Sequence, residues 1–221
     1  MYHVIADVLD AAGVSAALEA LSGARFVDGR VTAGWSARLV KNNLQVPSQS
    51  DRTIAELRDT ITAKIMGNQV FRLAVRPKAL TPLILSRYEP GMAYGTHIDD
   101  AYMHDMRTDV SFTLFLSDPA TYDGGELVIE TTGGEEDIRL PAGSLVAYPS
   151  TTLHRVAPVT RGARLAAVGW ARSLIRDGAK RELLFDLDTA RNALFVREGK
   201  TAELDLLSKT SANLLRMWVE D

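Results

Sequence analysis

The sequence predicts an α+β fold, with helical segments at both ends of a β-rich centre that reads as a sandwich or jelly roll. Three observations carry this. From about residue 81 to 173, short apolar runs recur, each bounded by a turn rich in Gly, Pro, Asp or Thr. Ahead of that zone stand two stretches with helical spacing, and behind it stand two more, parted by Glu198-Gly199-Lys200.

Taken in order, "VLDAAGVSAALEALSG" sets Val14, Leu18 and Leu21 at helical spacing, with Gly23 as its stop. "DGRVTAGWSARLVKNN" predicts a strand after an Asp28-Gly29 turn. "SQSDRTIAELRDTITAKIMGN" predicts an amphipathic helix. Ser50 caps it, Ile54, Leu57, Ile61 and Ile65 form its stripe, and Gly67-Asn68 ends it. The strand candidates are "PLILSRYE", "VSFTLFLS", "GELVIET", "SLVAYP", "HRVAPV" and "RLAAVGWAR". The last two predict a hairpin turning near Thr160 to Ala163. At the C-terminus, Leu183, Leu187, Ala190 and Leu194 mark one helical face, and Leu204, Leu207, Leu215 and Trp218 another. A hairpin packed on the core is favoured over a partner-binding role. The organisation expected is a support region at 1–78, a β core at 79–175 and a helical extension at 176–221.

Composition narrows the function. The chain of 221 residues is 46% hydrophobic, enough for a sizeable core, and its formal net charge of −3 comes without a Lys/Arg run, which argues against nucleic acid as partner. It has no cysteine, which removes disulfides, thiolate metal sites and cysteine nucleophiles together. No stretch has the length of a membrane span and the start lacks a signal-peptide pattern, so a cytoplasmic protein with no membrane partner is expected.

Chemistry concentrates in "THIDDAYMHD", residues 96–105. In an extended chain His97 and Asp99 point one way and Asp100 the other. A His-x-Asp pair alone is more often surface decoration than a ligand set. With one distant histidine it becomes the two-His, one-carboxylate triad of non-haem iron oxygenases, which leaves three coordination positions open. His154, opening "HRVAPV", is that histidine. His104 and Asp105 belong to a loop, and His3 reads as structural. Arg164, ten residues after His154, has two open readings. One is a buried guanidinium that requires a carboxylate; the other is an exposed strand-end arginine like Arg161.

Several blocks together resemble one family. "RYEPGMAYGTHID", "DGGEL", "AGSLVAYPSTTLHRVAPVTRGARLAAVGWARS" and, upstream, "DGRVTAG" with "VKNNLQV" are similar to the PKHD-type hydroxylases, Fe(II)/2-oxoglutarate dioxygenases related to prolyl 4-hydroxylases. "ELLFDLD" also resembles this family's tail. The resemblance implies a double-stranded β-helix (jelly roll) core. It implies Fe(II) on His97, Asp99 and His154, Arg164 on the far carboxylate of 2-oxoglutarate, and Tyr88 near the same co-substrate. It further implies hydroxylation with release of succinate and CO2, L-ascorbate to keep the iron ferrous, and a link to iron or siderophore homeostasis. The substrate, small molecule or peptide, is not written in the sequence, and a homo-oligomer stays open. Trp35, Tyr94 and Trp170 are candidates for the substrate mouth or for the core. The alternative from another class is a cupin-like jelly roll that binds a metal or ligand without turnover.

Overall fold

Alternation along the central strands gives the sheet two buried faces, and everything else is arranged around that. The computed structural model describes residues 1–220. Its major sheet has eight strands. Six run in the order β1 (His3–Ile5), β14 (Leu145–Pro149), β10 (Val110–Phe115), β17 (Arg164–Ser173), β6 (Ile84–Tyr88) and β4 (Leu44–Gln45). β2 (Val27–Asp28) closes that edge, while β5 (Pro77–Leu80) pairs with β17. The minor sheet has five strands, in the order β13 (Gly134–Ile138), β12 (Leu127–Thr131), β15 (His154–Val156), β7 (Ala93–His97) and β3 (Lys41–Asn42). Two small ladders complete the set: β8 (Tyr102–Met103) with β9 (Met106–Arg107), and β11 (Asp123–Gly124) with β16 (Val159–Arg161). All pairings are antiparallel. The predicted α+β jelly roll is the fold observed.

One face of the major sheet carries Leu85, Phe112, Leu114, Leu145, Ala147 and Ala167. They pack against helices α1 (Ala11–Ser22), α2 (Arg52–Gly67) and α3 (Gln69–Val75). The expected stripe of Ile54, Leu57, Ile61 and Ile65 is the buried face of α2. Burying a side chain of this kind contributes roughly 1.5–3 kcal/mol. The other face, one residue out of phase, turns Ser86, Tyr88, Thr113, Tyr148 and Arg164 toward the minor sheet and the cleft between the sheets.

Several expectations are corrected. Residues 29–40 form no strand but two 3₁₀ turns, Gly29–Thr32 and Ala37–Leu39. Asp28 accepts from the Arg30 N–H at 2.9 Å and Thr32 Oγ1 donates to the Gly29 carbonyl, so short polar side chains supply locally what a ladder would otherwise provide. Asp51, not Ser50, caps α2, accepting from Ile54 N at 3.0 Å, while Ser50 Oγ accepts from Arg58. Asn68 both ends α2 and caps α3, a helix the pattern did not announce. The hairpin expected from "HRVAPV" into "RLAAVGW" is absent. β15 lies in the minor sheet, β17 in the major, and the segment between them pairs with β11. Pro158 has no N–H for a ladder, and Gly162 turns the chain at φ 71°.

The C-terminal pair is α4 (Gly178–Glu198) and α5 (Ala202–Trp218). The predicted stripe on α4 is wrong: its buried residues are Arg181, Leu184 and Asp188, and Leu183 is exposed. Asp188 is held by Arg76, by Arg191 at 3.1 Å and by the Ser211 hydroxyl at 2.9 Å. An ionic seam therefore faces the core where an apolar stripe was expected. On α5 only Leu204 of the predicted face is fully buried, beside Ser211. His3 packs its ring against Phe185, a structural use. No helix is long and apolar enough to cross a membrane.

Candidate metal centre

β7 and β15 are neighbours, and their register sets His97 directly opposite His154. The strand ends at His97, so Asp99 is delivered by the chain leaving the sheet rather than by alternation. Its carboxylate nevertheless meets both rings, with Oδ1 3.9 Å from His97 Nε2 and Oδ2 3.7 Å from His154 Nε2. The three ligand atoms lie within 4.8 Å of one another, the one such cluster found among the described residues.

Backbone contacts choose the tautomer. His97 Nδ1 donates to the Gly95 carbonyl at 2.8 Å and His154 Nδ1 to the Thr152 carbonyl at 3.0 Å. Each Nε2 lone pair is thereby left facing Asp99, the orientation a metal ligand needs. Burial, reinforced by His154, lowers the His97 pKa to about 4, which keeps that imidazole neutral near pH 7. Ser111 donates to Asp99 Oδ2 at 2.6 Å. Because Ser111 has one proton to give, the Ser150 hydroxyl 2.9 Å away donates to it in turn. Tyr94 stacks on His97 at 3.6 Å between centroids, and Tyr148 meets His154 edge-on. Ser111, Ser150 and Tyr148 were not anticipated. For Ser111 and Tyr148 the only sequence signal is a polar residue at an inward strand position; Ser150 follows β14 in a turn.

The cluster lies in a cleft of about 770 Å³, counting its open mouth. Arg164 also lines the cleft. It reaches it from the opposite sheet, paired in register with Tyr88. It is 1% exposed and sits over the rings of Tyr88 and Phe115 at 5.4 and 5.2 Å. Among the described residues no carboxylate forms an ion pair with it, and its Nε has no hydrogen-bond partner. Of the two readings left open by the sequence, the exposed one is excluded. Gly125 leaves room for the Arg164 stem, since a Cβ there would come within 2.9 Å of Cδ. Burial raises the Tyr88 hydroxyl to about 12, so it stays protonated as a donor.

The remaining candidates fall elsewhere. Asp100 borders the mouth near Gly34 rather than facing away. His104 and Asp105 form the positive-φ turn between β8 and β9, outside the cluster. Tyr94 and Trp170 line the cleft, whereas Trp35 is 86% exposed and belongs to neither the lining nor the core.

Two imidazoles and one carboxylate fit a divalent metal with three positions free. The unpaired guanidinium fits a carboxylate beyond it. Comparison with known proteins gives the class first. Residues 83–172 match the model of the 2OG-Fe(II) oxygenase superfamily, and residues 178–220 match the PKHD-type hydroxylase C-terminal domain. A PKHD-type hydroxylase of Picosynechococcus sp. is 52% identical over 220 residues, and one of Synechococcus sp. 55% over 226, each covering 100% of both chains. The chain belongs to the PKHD-type hydroxylases and is a 2-oxoglutarate-dependent enzyme of the Fe(II) class. Among solved structures, a Pseudomonas putida prolyl-4-hydroxylase aligns at TM-score 0.53 and 27% identity over 78% of this chain and 92% of its own. A Trichoplax adhaerens prolyl hydroxylase in complex with a hypoxia-inducible-factor peptide fragment shares the fold at TM-score 0.56 and 17% identity, over 82% and 86%.

Proposed function

We propose that His97, Asp99 and His154 hold the ferrous ion and that Arg164, with Tyr88 beside it, takes the far carboxylate of 2-oxoglutarate. The observation that carries this is the pairing of a three-ligand cluster with a fully buried cation that has no anion of its own. Bound iron and co-substrate supply the oxidation, in which 2-oxoglutarate and O2 yield succinate, CO2 and one oxygen atom for a substrate C–H bond. The protein's part is positional. The Gly95 and Thr152 carbonyls fix both imidazoles, Ser111 and Ser150 hold the Asp99 carboxylate, and Arg164 sets the depth to which a dicarboxylate enters. The walls of Tyr94, Tyr148 and Trp170 keep bulk water from the reacting centre.

The substrate is a small molecule or a peptide presented at the mouth formed by Thr32–Gly34, Ala37, Asp100 and Met103. The peptide-bound relative supports the second form. A role in iron homeostasis rests on the family resemblance, and growth of a deletion strain under iron limitation tests it. The site itself is tested anaerobically. Fe(II) with 2-oxoglutarate is expected to give a weak visible charge-transfer band, lost in His97→Ala. A band that persists in that variant refutes the ligand assignment.

A further inference from the structure

Residues 41–45 invert the usual pattern of a sandwich strand. Lys41, Asn43 and Gln45 point inward and line the cleft at 5%, 3% and 4% exposure, where apolar side chains would ordinarily pack. The group is partly wired from within. Lys41 Nζ donates to Thr32 Oγ1 at 3.0 Å, and Thr32 Oγ1 shares its one proton between the Gly29 carbonyl and, at 2.7 Å, Gln45 Oε1. Asn43 is wired less: neither its Oδ1 nor its Nδ2 makes a hydrogen bond of good geometry, and the polar group beside it is the Tyr88 hydroxyl. The space it fills is reserved for it, because a Cβ on Gly29 would collide with Asn43 Oδ1.

Lys41 is a second buried cation without an anion. Its ammonium lies 4.9 Å from the Tyr94 ring centroid, and Tyr94 in turn stacks on His97. No carboxylate stands within ion-pair distance among the described residues. The acids that act on it at longer range are Asp99, which faces the histidines, and Asp28, an exposed residue beside Arg30. Asp100 is exposed at the rim, where water screens it. On the reading above, a divalent ion, Asp99, Arg164 and Lys41 leave three positive charges in the cleft. A dianionic co-substrate neutralises two, and the one left over is at Lys41.

We propose that Lys41, Asn43 and Gln45, with Thr32, form the recognition segment for the primary substrate, and that this substrate carries a carboxylate for Lys41 next to a hydrogen-bonding group for Asn43. The assignment to substrate rather than co-substrate follows from position. Lys41 is tied to the mouth segment through Thr32 and stacked behind Tyr94, whereas Arg164 packs among Tyr88 and Phe115 on the other sheet. The inference rests on the iron and 2-oxoglutarate reading.

The test uses the full chain with Fe(II) and 2-oxoglutarate, and as probes a panel of N-acetyl amino acids with the matching primary amides. Binding is read anaerobically by calorimetry and by perturbation of the charge-transfer band, and turnover aerobically by succinate release. At least one acid should bind about tenfold or more tighter than its amide. Lys41→Met should abolish that preference while the charge-transfer band still forms, and Lys41→Arg should restore part of it. Equal binding of acids and amides, or no binding by any acid, overturns the proposal. So does a Lys41→Met variant whose main defect is weaker 2-oxoglutarate binding. A wild-type protein that forms no band at all refutes the underlying reading and this one with it.

Discussion

At the inner end of the cleft, Arg164 is buried with aromatic rings around it and no acid in reach. Beneath the C-terminal helices, Arg76 is nearly as enclosed, yet it meets Asp188, which also takes Arg191 and the Ser211 hydroxyl. Arg181 nearby gives its Nη1 protons to the carbonyls of Ile175 and Arg176 at 2.7 and 2.9 Å. Both regions accept the desolvation of a guanidinium. In one the chain supplies the partner, and the charge serves structure; in the other the described residues supply none, which suits the carboxylate proposed above. A buried cation is informative mainly through what is missing around it.

The sharpest way to break the comparison is to remove one member of each region. Asp188→Ala should destabilise the fold by about 3–5 kcal/mol in denaturant titration, because it strands Arg76 without its acid. Arg164→Met should leave the unfolding midpoint of the ligand-free protein unchanged or higher, yet weaken 2-oxoglutarate by roughly 30-fold or more in calorimetry. Equal loss of stability in both variants would erase the distinction.

Lys41 extends the comparison to pH. Burial lowers its pKa to about 8 from the ordinary 10.5. Between those values the unfolded chain holds a proton that the folded chain has released, so stability contributed through Lys41 rises with pH across that window. The rise is at most about 3 kcal/mol. Unfolding of metal-free wild type and Lys41→Met, followed from pH 7.5 to 9.5, isolates it, since the buried tyrosines are common to both. A constant difference between the two proteins would show that Lys41 is not desolvated.

The smallest effect concerns the support behind Asp99. Ser111→Ala removes the 2.6 Å hydrogen bond to its carboxylate and with it the link to Ser150. Metal affinity should fall about tenfold, measured by competition with a chelator, with little change in the unfolding midpoint. Unaltered affinity would make the serine pair a packing feature.

Much of this was readable along the chain. Short apolar runs between turns placed the main strands, helical spacing placed α1 and the stripe of α2, and "HID" with a distant histidine placed the cluster. Such signals are local or depend only on which side chains share a face. Misreadings arose where local cues compete. Residues 29–40 found partners in the Asp28 and Thr32 side chains instead of a ladder, and α4 turned Asp188 inward onto Arg76 and Ser211 and Arg181 inward onto the carbonyls of Ile175 and Arg176.

The sequence by itself determined the α+β class, the residue types of the cluster and the family, because residue chemistry and periodicity survive without coordinates. Only the tertiary structure decided that Arg164 faces inward from the sheet opposite His154, that Ser111 backs Asp99, and that Lys41 and Asn43 are buried without full partners. Whether a charged group is satisfied depends on neighbours brought by strands far apart in the chain, and no pattern within one segment can state that.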